Sequence, residues 1–267
     1  MRKSTLSRIL LAFVVVTMAF TACQKDDPAF LVPPLTPDQS FTEEFDTVAE
    51  AYHRGWVPIN NSNPKGSGIW TQGGAPFPIF SPYSSNGSYA GFIAADFNST
   101  SGTDDVISNW LISPLVTMQN GDKISFYTRT QLLPAGGGDS TDYGNNLEVC
   151  FNRKNEGTNI GGIAYDPEDA SYNSSTDRGD FELLLTINPP KYNTGTSFWD
   201  YKYAHSLPNL FVPGSYPAQW TRFEATISGL NGPTKGRFAF RYYTLDAGSN
   251  GNASAIGLDQ VVYSSKK

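Results

Sequence analysis

Lys123-Ile-Ser-Phe-Tyr-Thr-Arg-Thr130 is the stretch whose reading decides the fold. Its side chains alternate in character, and successive residues of an extended chain point to opposite faces. Ile124, Phe126 and Thr128 therefore share one side, and Lys123, Ser125, Tyr127 and Arg129 the other. Arg237 to Tyr243 repeats the pattern, with Phe238, Phe240 and Tyr242 on one face and Ala239, Arg241 and Tyr243 on the other. Leu147–Phe151, Phe181–Ile187, Trp220–Ile227 and Ala255–Tyr263 read the same way. Ser88–Ala94 is short and apolar, and Val106–Met118 is two strands' worth of β-branched residues broken at Pro114. Asn120-Gly121-Asp122 is a turn signal that predicts a hairpin between Val106–Met118 and Lys123–Thr130. About ten short strands without helical spacers predict an all-β, two-sheet β-sandwich rather than a parallel α/β fold. Trp56, Trp110, Trp220, Phe126, Phe238 and Phe240 are the expected core, because each large ring buries roughly 150–250 Å².

Composition agrees. The 267 residues include 17 Phe, 14 Tyr, 5 Trp, 25 Gly and 18 Pro. Charged residues are sparse, and few segments have the pattern of an amphipathic helix. Four connections are long: Pro58–Gly87, Leu132–Asn146, Asn152–Asp180 and Asn188–Gln219. Long connections inside a compact domain are usually functional or disordered. The net charge of −6 argues against nucleic acid as a partner, since phosphate neutralisation needs Lys and Arg. The two cysteines are Cys23 and Cys150.

The first residues predict an address. Arg2, Lys3 and Arg8 precede an apolar run from Ile9 to Phe20, which is too short to span a bilayer as a helix and reads as a signal peptide. Phe20-Thr21-Ala22-Cys23 resembles a bacterial lipoprotein signal, in which Cys23 would be lipidated. Phe20 replaces the usual leucine, so plain secretory cleavage stays open. Gln24-Lys25-Asp26-Asp27 resembles the acidic export signal that sends some lipoproteins to the outer face of the outer membrane; the alternative is an ordinary hydrophilic tether. Removal of Arg2, Lys3 and Arg8 takes the net charge from −6 to −9, so membrane attachment is expected through the lipid alone. The expected organisation is a signal peptide at 1–22, a proline-rich tether at 23–40 and one β-sandwich domain at 41–265. With Cys23 lipidated, Cys150 stands alone and no disulfide is expected.

The order of short motifs carries a family resemblance. It runs Phe41-Thr-Glu-Glu-Phe-Asp46, Gly55-Trp56, Asn109-Trp-Leu-Ile-Ser-Pro-Leu115, Ile124-Ser-Phe-Tyr-Thr-Arg129, Leu147-Glu-Val149, Trp220, Phe238-Ala-Phe-Arg-Tyr-Tyr243 and Ile256-Gly-Leu-Asp-Gln-Val261. Over residues 41 to 263 the chain resembles the choice-of-anchor J domain, a relative of cleaved-adhesin and MAM-type jelly rolls. The resemblance implies a jelly-roll β-sandwich of galactose-binding or MAM-like type, and less firmly adhesion or ligand binding. In such jelly rolls the first and last strands are neighbours and their carboxylates can hold a structural calcium. Glu44 and Asp46 share a strand face, and Asp259 is a carboxylate within an apolar strand where an unpaired charge is costly. These three are the candidate Ca²⁺ ligands. The alternative for Asp259 is hydrogen bonding or pairing with Arg241 or Arg237.

For ligand binding, Trp199, Tyr201 and Tyr203 alternate and would share one face of an extended stretch. Aromatic anchors among polar groups suit a glycan. Trp70, Phe77, Phe80, Tyr83 and Tyr89 form a second set, and either set reads equally as loop packing. Acidic loop groups at Asp166–Asp169 and Thr103–Asp105 read as solvated. Gly-x-Ser-x-Gly, His-Glu-x-x-His and phosphate-loop patterns are missing, and His53 and His205 are the only histidines, so no enzyme is expected. The expected function is a non-catalytic, surface-exposed outer-membrane lipoprotein that binds carbohydrate or acts in adhesion. The alternative is a protein-binding scaffold in an outer-membrane complex.

Overall fold

The computed structural model describes residues 36–74, 80–84, 90–102, 105–136, 139–164, 178–188, 211–212, 216–248 and 251–266. The expected signal peptide, the lipidation site Cys23 and the expected tether up to residue 35 lie outside these. Asp38–Lys267 clusters as one compact unit. Among the described residues, no helix is long and apolar enough to cross a membrane.

The chain forms a two-sheet β-sandwich of jelly-roll type. The first sheet has the order β13 (Thr221–Thr226), β7 (Lys123–Thr130), β15 (Ala255–Ser264), β4 (Ile93–Asp96) and β3 (Thr71–Gln72), with β1 (Phe41–Glu43) also paired to β15. The second runs β12 (Phe211–Val212), β11 (Phe181–Ile187), β10 (Leu147–Asn152), β14 (Thr234–Ala247), β5 (Asp105–Ile112) and β2 (Val57–Asn60), with β6 (Val116–Met118) on β14. A small ribbon, β8 (Leu133–Gly136) with β9 (Asp139–Thr141), and a short helix α1 (Val48–His53) complete it. Every described strand pair is antiparallel except β11 with β12.

The period-two pattern places the core. Phe126 of β7 meets Phe240 of β14 with ring centroids 4.9 Å apart and planes at 73°, the edge-to-face geometry that ring quadrupoles favour. Phe238 stacks on Tyr263 at 5.9 Å. Trp56 packs edge-on against Phe45 and Phe238. Trp110 is buried on the other side of its sheet. Trp220 departs from expectation: it is half-buried on the outer face of the first sheet, against Phe80 and Phe92. Trp70, of the second aromatic set, takes the packing alternative: it is fully buried and donates from Nε1 to the Asn109 carbonyl at 3.0 Å.

The predicted hairpin does not form. β6 pairs with β14, whereas β7 pairs with β13 and β15. The turn at Asn120–Asp122 is present, but it carries the chain from one sheet to the other. Gly121 takes φ +97° there, where glycine is free of the Cβ penalty. Buried Asp122 pins the crossing by accepting from Gln119 N and Lys266 N, both at 2.7 Å, and from the Tyr263 hydroxyl.

A second, smaller core lies outside the second sheet, where Trp110, Ile112, Cys150, Ile160, Phe181 and Ala239 pack together. Beside it a charged triad is buried. Glu148 accepts from Arg178 Nε at 2.9 Å and Nη2 at 2.5 Å, and from Arg241 Nη1 at 3.1 Å. Arg241 also donates to Ser108 Oγ at 2.8 Å, and its guanidinium lies 4.0 Å from the Tyr243 ring centre. Burial pushes the Glu148 carboxyl up, but the two guanidiniums pull it further down, leaving it below the usual carboxylate range. The depressed folded-state value means that this stabilisation is complete above the unfolded carboxylate pKa and is lost as pH falls through the folded value. Glu148→Gln is therefore expected to lower unfolding free energy by about 3–5 kcal/mol at neutral pH, because it strands two buried cations. In urea titrations the gap between variant and wild type should shrink as pH drops below about 4.

Candidate functional site

The outer face of the first sheet gathers the chemistry. The alternation that sends Phe126 and Thr128 inward turns Tyr127 and Arg129 outward from β7. It likewise turns Arg222 and Glu224 outward from β13, and Gly257 and Asp259 from β15. Phe80–Ser84 lies across this face. A Cβ at Gly257 would sit 2.9 Å from both the Phe80 and Trp220 rings and 3.0 Å from Phe92. Bare backbone is thus what lets three rings converge. Phe80 stacks on Phe92 at 4.9 Å, and Trp220 meets both edge-on at 5.6 and 5.5 Å. The Trp220 Nε1 donates to the Ser81 carbonyl at 2.8 Å, and Arg129 holds its guanidinium 4.5 Å from the Phe80 ring centre.

Asp259 anchors the overlying segment. Its Oδ2 accepts from the amides of Tyr83 at 2.7 Å and Ser84 at 3.1 Å, and its Oδ1 accepts from Ser84 Oγ at 3.0 Å and its neighbour Gln260 N at 2.7 Å. Gln260, at φ 45°, sits where the β15–β7 register shifts. This bulge lets Val261 and Tyr263 return inward after Asp259 has pointed out. The anchored Tyr83 stacks on Tyr127 with ring centres 3.6 Å apart and planes at 16°, and it remains 41% exposed. The result is a fixed aromatic surface beside Arg129, Arg222 and Trp220, suited to holding a ligand with flat apolar faces and polar edges.

The expected Ca²⁺ set is not brought together. Among the described residues no three of His, Cys, Asp and Glu gather to hold a metal ion. Glu44 and Asp46 do share a cleft of about 300 Å³ with Glu43, Glu50 and Arg54. Glu43 is committed to Arg54 at 2.6 and 2.9 Å and to Trp56 Nε1 at 3.2 Å, and Glu44 meets Gln260 Nε2 at 3.5 Å. Asp259 is directed instead under Tyr83 and Ser84, where backbone amides are nearer donors. Neither arginine offered as its alternative partner reaches it: Arg241 serves Glu148, and Arg237 donates to the Ser113 and Glu156 carbonyls.

Trp199, Tyr201 and Tyr203, with Phe77, Tyr89, His205 and Asp166–Asp169, lie outside the described residues. Phe80 and Tyr83 of the second aromatic set do reach the site. Tyr127, Arg129, Phe92 and Trp220 escaped the sequence reading as site residues. The signal for the first two was present, since both occupy the outward positions of the most regular strand. Cys150 is buried in the smaller core, and burial pushes its thiol up to about 12, which leaves it unreactive.

No family model matches the chain, and neither does any curated protein; the choice-of-anchor J reading therefore stays a resemblance. Solved structures do match. A cleaved adhesin domain of Lys-gingipain from Porphyromonas gingivalis is 18% identical with a TM-score of 0.46, covering 85% of this chain and 99% of its own. Another cleaved adhesin domain of the same protein is 16% identical with a TM-score of 0.44, over 86% and 99%. A family 29 carbohydrate-binding module complexed with cellulohexaose is 9% identical with a TM-score of 0.34, over 84% and 91%.

Burial pushes the Asp259 carboxyl up to about 6, against the pull of its hydrogen bonds to Ser84, Tyr83 and Gln260. A folded-state value above the unfolded one means that the native protein keeps this proton longer, so its contribution to stability falls as pH rises from about 4 to about 6. In unfolding titrations across that range, Asp259→Asn is expected to remove this downward component. A wild-type and variant pair with parallel pH profiles would refute it.

Proposed function

We propose that this protein is a non-catalytic binding module whose ligand is carbohydrate, held on the outer face of the first sheet. The observation that carries the reading is the Tyr83–Tyr127 stack, fixed from below by Asp259 and open to solvent above. Sugar rings present apolar C–H faces that stack on such a platform, while Arg129 and Arg222 supply donors for hydroxyls at its edge. The platform is assembled before any ligand arrives, which lowers the ordering cost of binding. Adhesion through surface glycans is the corresponding role. The N-terminal sequence supports attachment through a lipid on Cys23, with the domain displayed at the outer membrane and reaching its ligand from there.

The test is binding of the lipid-free chain from Gln24 onward to an immobilised panel of neutral and charged polysaccharides, with calcium and again with chelator. Tyr83→Ala and Tyr127→Ala are each expected to weaken binding about tenfold or more, equivalent to roughly 1.4 kcal/mol. Trp199→Ala is the control: loss of binding there with Tyr127→Ala unaffected would move the site to the 199–203 stretch. A folded protein that binds no glycan would redirect the search to a protein partner. In cells fed a labelled fatty acid, Cys23→Ala is expected to abolish label incorporation and to shift the protein out of the membrane fraction.

A further inference from the structure

Arg129 is the feature of the aromatic face that sugar stacking alone leaves unexplained. Its half-buried guanidinium rests on Phe80, and Nε makes one bond to the Thr130 carbonyl at 3.3 Å. Among the described residues no carboxylate lies within ion-pair distance of it. A desolvated cation without a counter-charge is costly, and burial lowers the pKa of this one. The nearest outward acid, Asp259, has both carboxylate oxygens taken by hydrogen bonds beneath Tyr83 and Ser84.

The neighbouring charges point the same way. Glu224 is shared between Lys123 at 2.6 Å and Arg222 at 2.9 Å, so the exposed acid of β13 is committed to other cations than Arg129. Arg222 is directly opposite Tyr127 in the β13–β7 register, and Arg129 is two residues beyond Tyr127 on the same face, about 7 Å along the strand. A planar guanidinium beside a ring, with no acid paired to its fork, suits a bidentate oxyanion, above all a carboxylate.

Building on the carbohydrate reading, we propose that the ligand is an acidic glycan, with a uronic-acid residue stacked on Tyr83, which Tyr127 backs, and its carboxylate paired with Arg129. The pair supplies the half-buried cation with a counter-charge and gives the site a preference that neutral sugars cannot meet.

The experiment titrates the protein by calorimetry with polygalacturonate, with its fully methyl-esterified form and with dextran sulfate, at two ionic strengths. The acid form is expected to bind at least tenfold more tightly than the ester, and Arg129→Gln is expected to erase that ratio by bringing acid binding down to the level of the ester. Arg129→Lys, which keeps the charge but not the fork, should fall between. Because the acid-to-ester ratio is read on the wild-type chain, the test survives a variant that folds poorly. Equal affinity for acid and ester, or a ratio untouched by Arg129→Gln, would overturn the proposal and leave neutral carbohydrate binding standing. Tighter binding to dextran sulfate that ignores Arg129 would overturn it in favour of diffuse charge attraction. Binding to none of the three, with neutral glycans also failing, would remove the underlying carbohydrate reading.

Discussion

The contact between Phe126 and Phe240 is the constraint on which the rest of the molecule depends. One ring belongs to each sheet, and their edge-to-face meeting fixes which side of β7 and which side of β14 is inside. Once those sides are set, the period of two dictates everything that points outward. Tyr127 and Arg129 are surface groups because Phe126 and Thr128 are not, and Arg241 reaches the far side of its sheet because Phe240 and Tyr242 fill the near one.

The two outer faces then solve opposite problems. On the second sheet, Glu148 is enclosed with Arg178 and Arg241, and Trp110, Tyr243 and Ser108 complete the surroundings of Arg241. There one buried carboxylate serves two guanidiniums. On the first sheet, Asp259 is also satisfied within the protein, but by the backbone of a crossing segment, and the nearby arginine is left with a ring for company. The first sheet instead presents a held aromatic stack with a guanidinium beside it.

The strands, and the face to which each side chain belongs, were legible because alternation is a local signal. Pairing was not. The same Asn120–Asp122 turn chemistry serves a hairpin and a crossing between sheets, and what decides between them is the burial of Asp122 with Tyr263, 141 residues apart. Trp220 left its expected place in the core for a similar reason: a ring's size signals burial only when the backbone beneath it leads inward. Asp259 was recognisable from sequence as a charge in need of a partner. The partners themselves were not, because backbone amides delivered by a loop leave no residue type to read. Tyr127 and Arg129 lay in plain sight, in outward positions, and acquired meaning only when Phe80 and Tyr83 came to rest on them.

The uneven burial of the tryptophans gives the molecule a built-in optical probe. Trp56, Trp70 and Trp110 are enclosed, with exposures of 2% or less, and their emission reports on the interior. Trp220 sits half-buried among Phe80, Phe92 and the Ser81 carbonyl, on the outer face of the first sheet. Among the described tryptophans it is the one that an aqueous quencher can reach. Events on the aromatic face therefore carry their own fluorescence signature, separable from any change in the packed core and readable without attaching a dye.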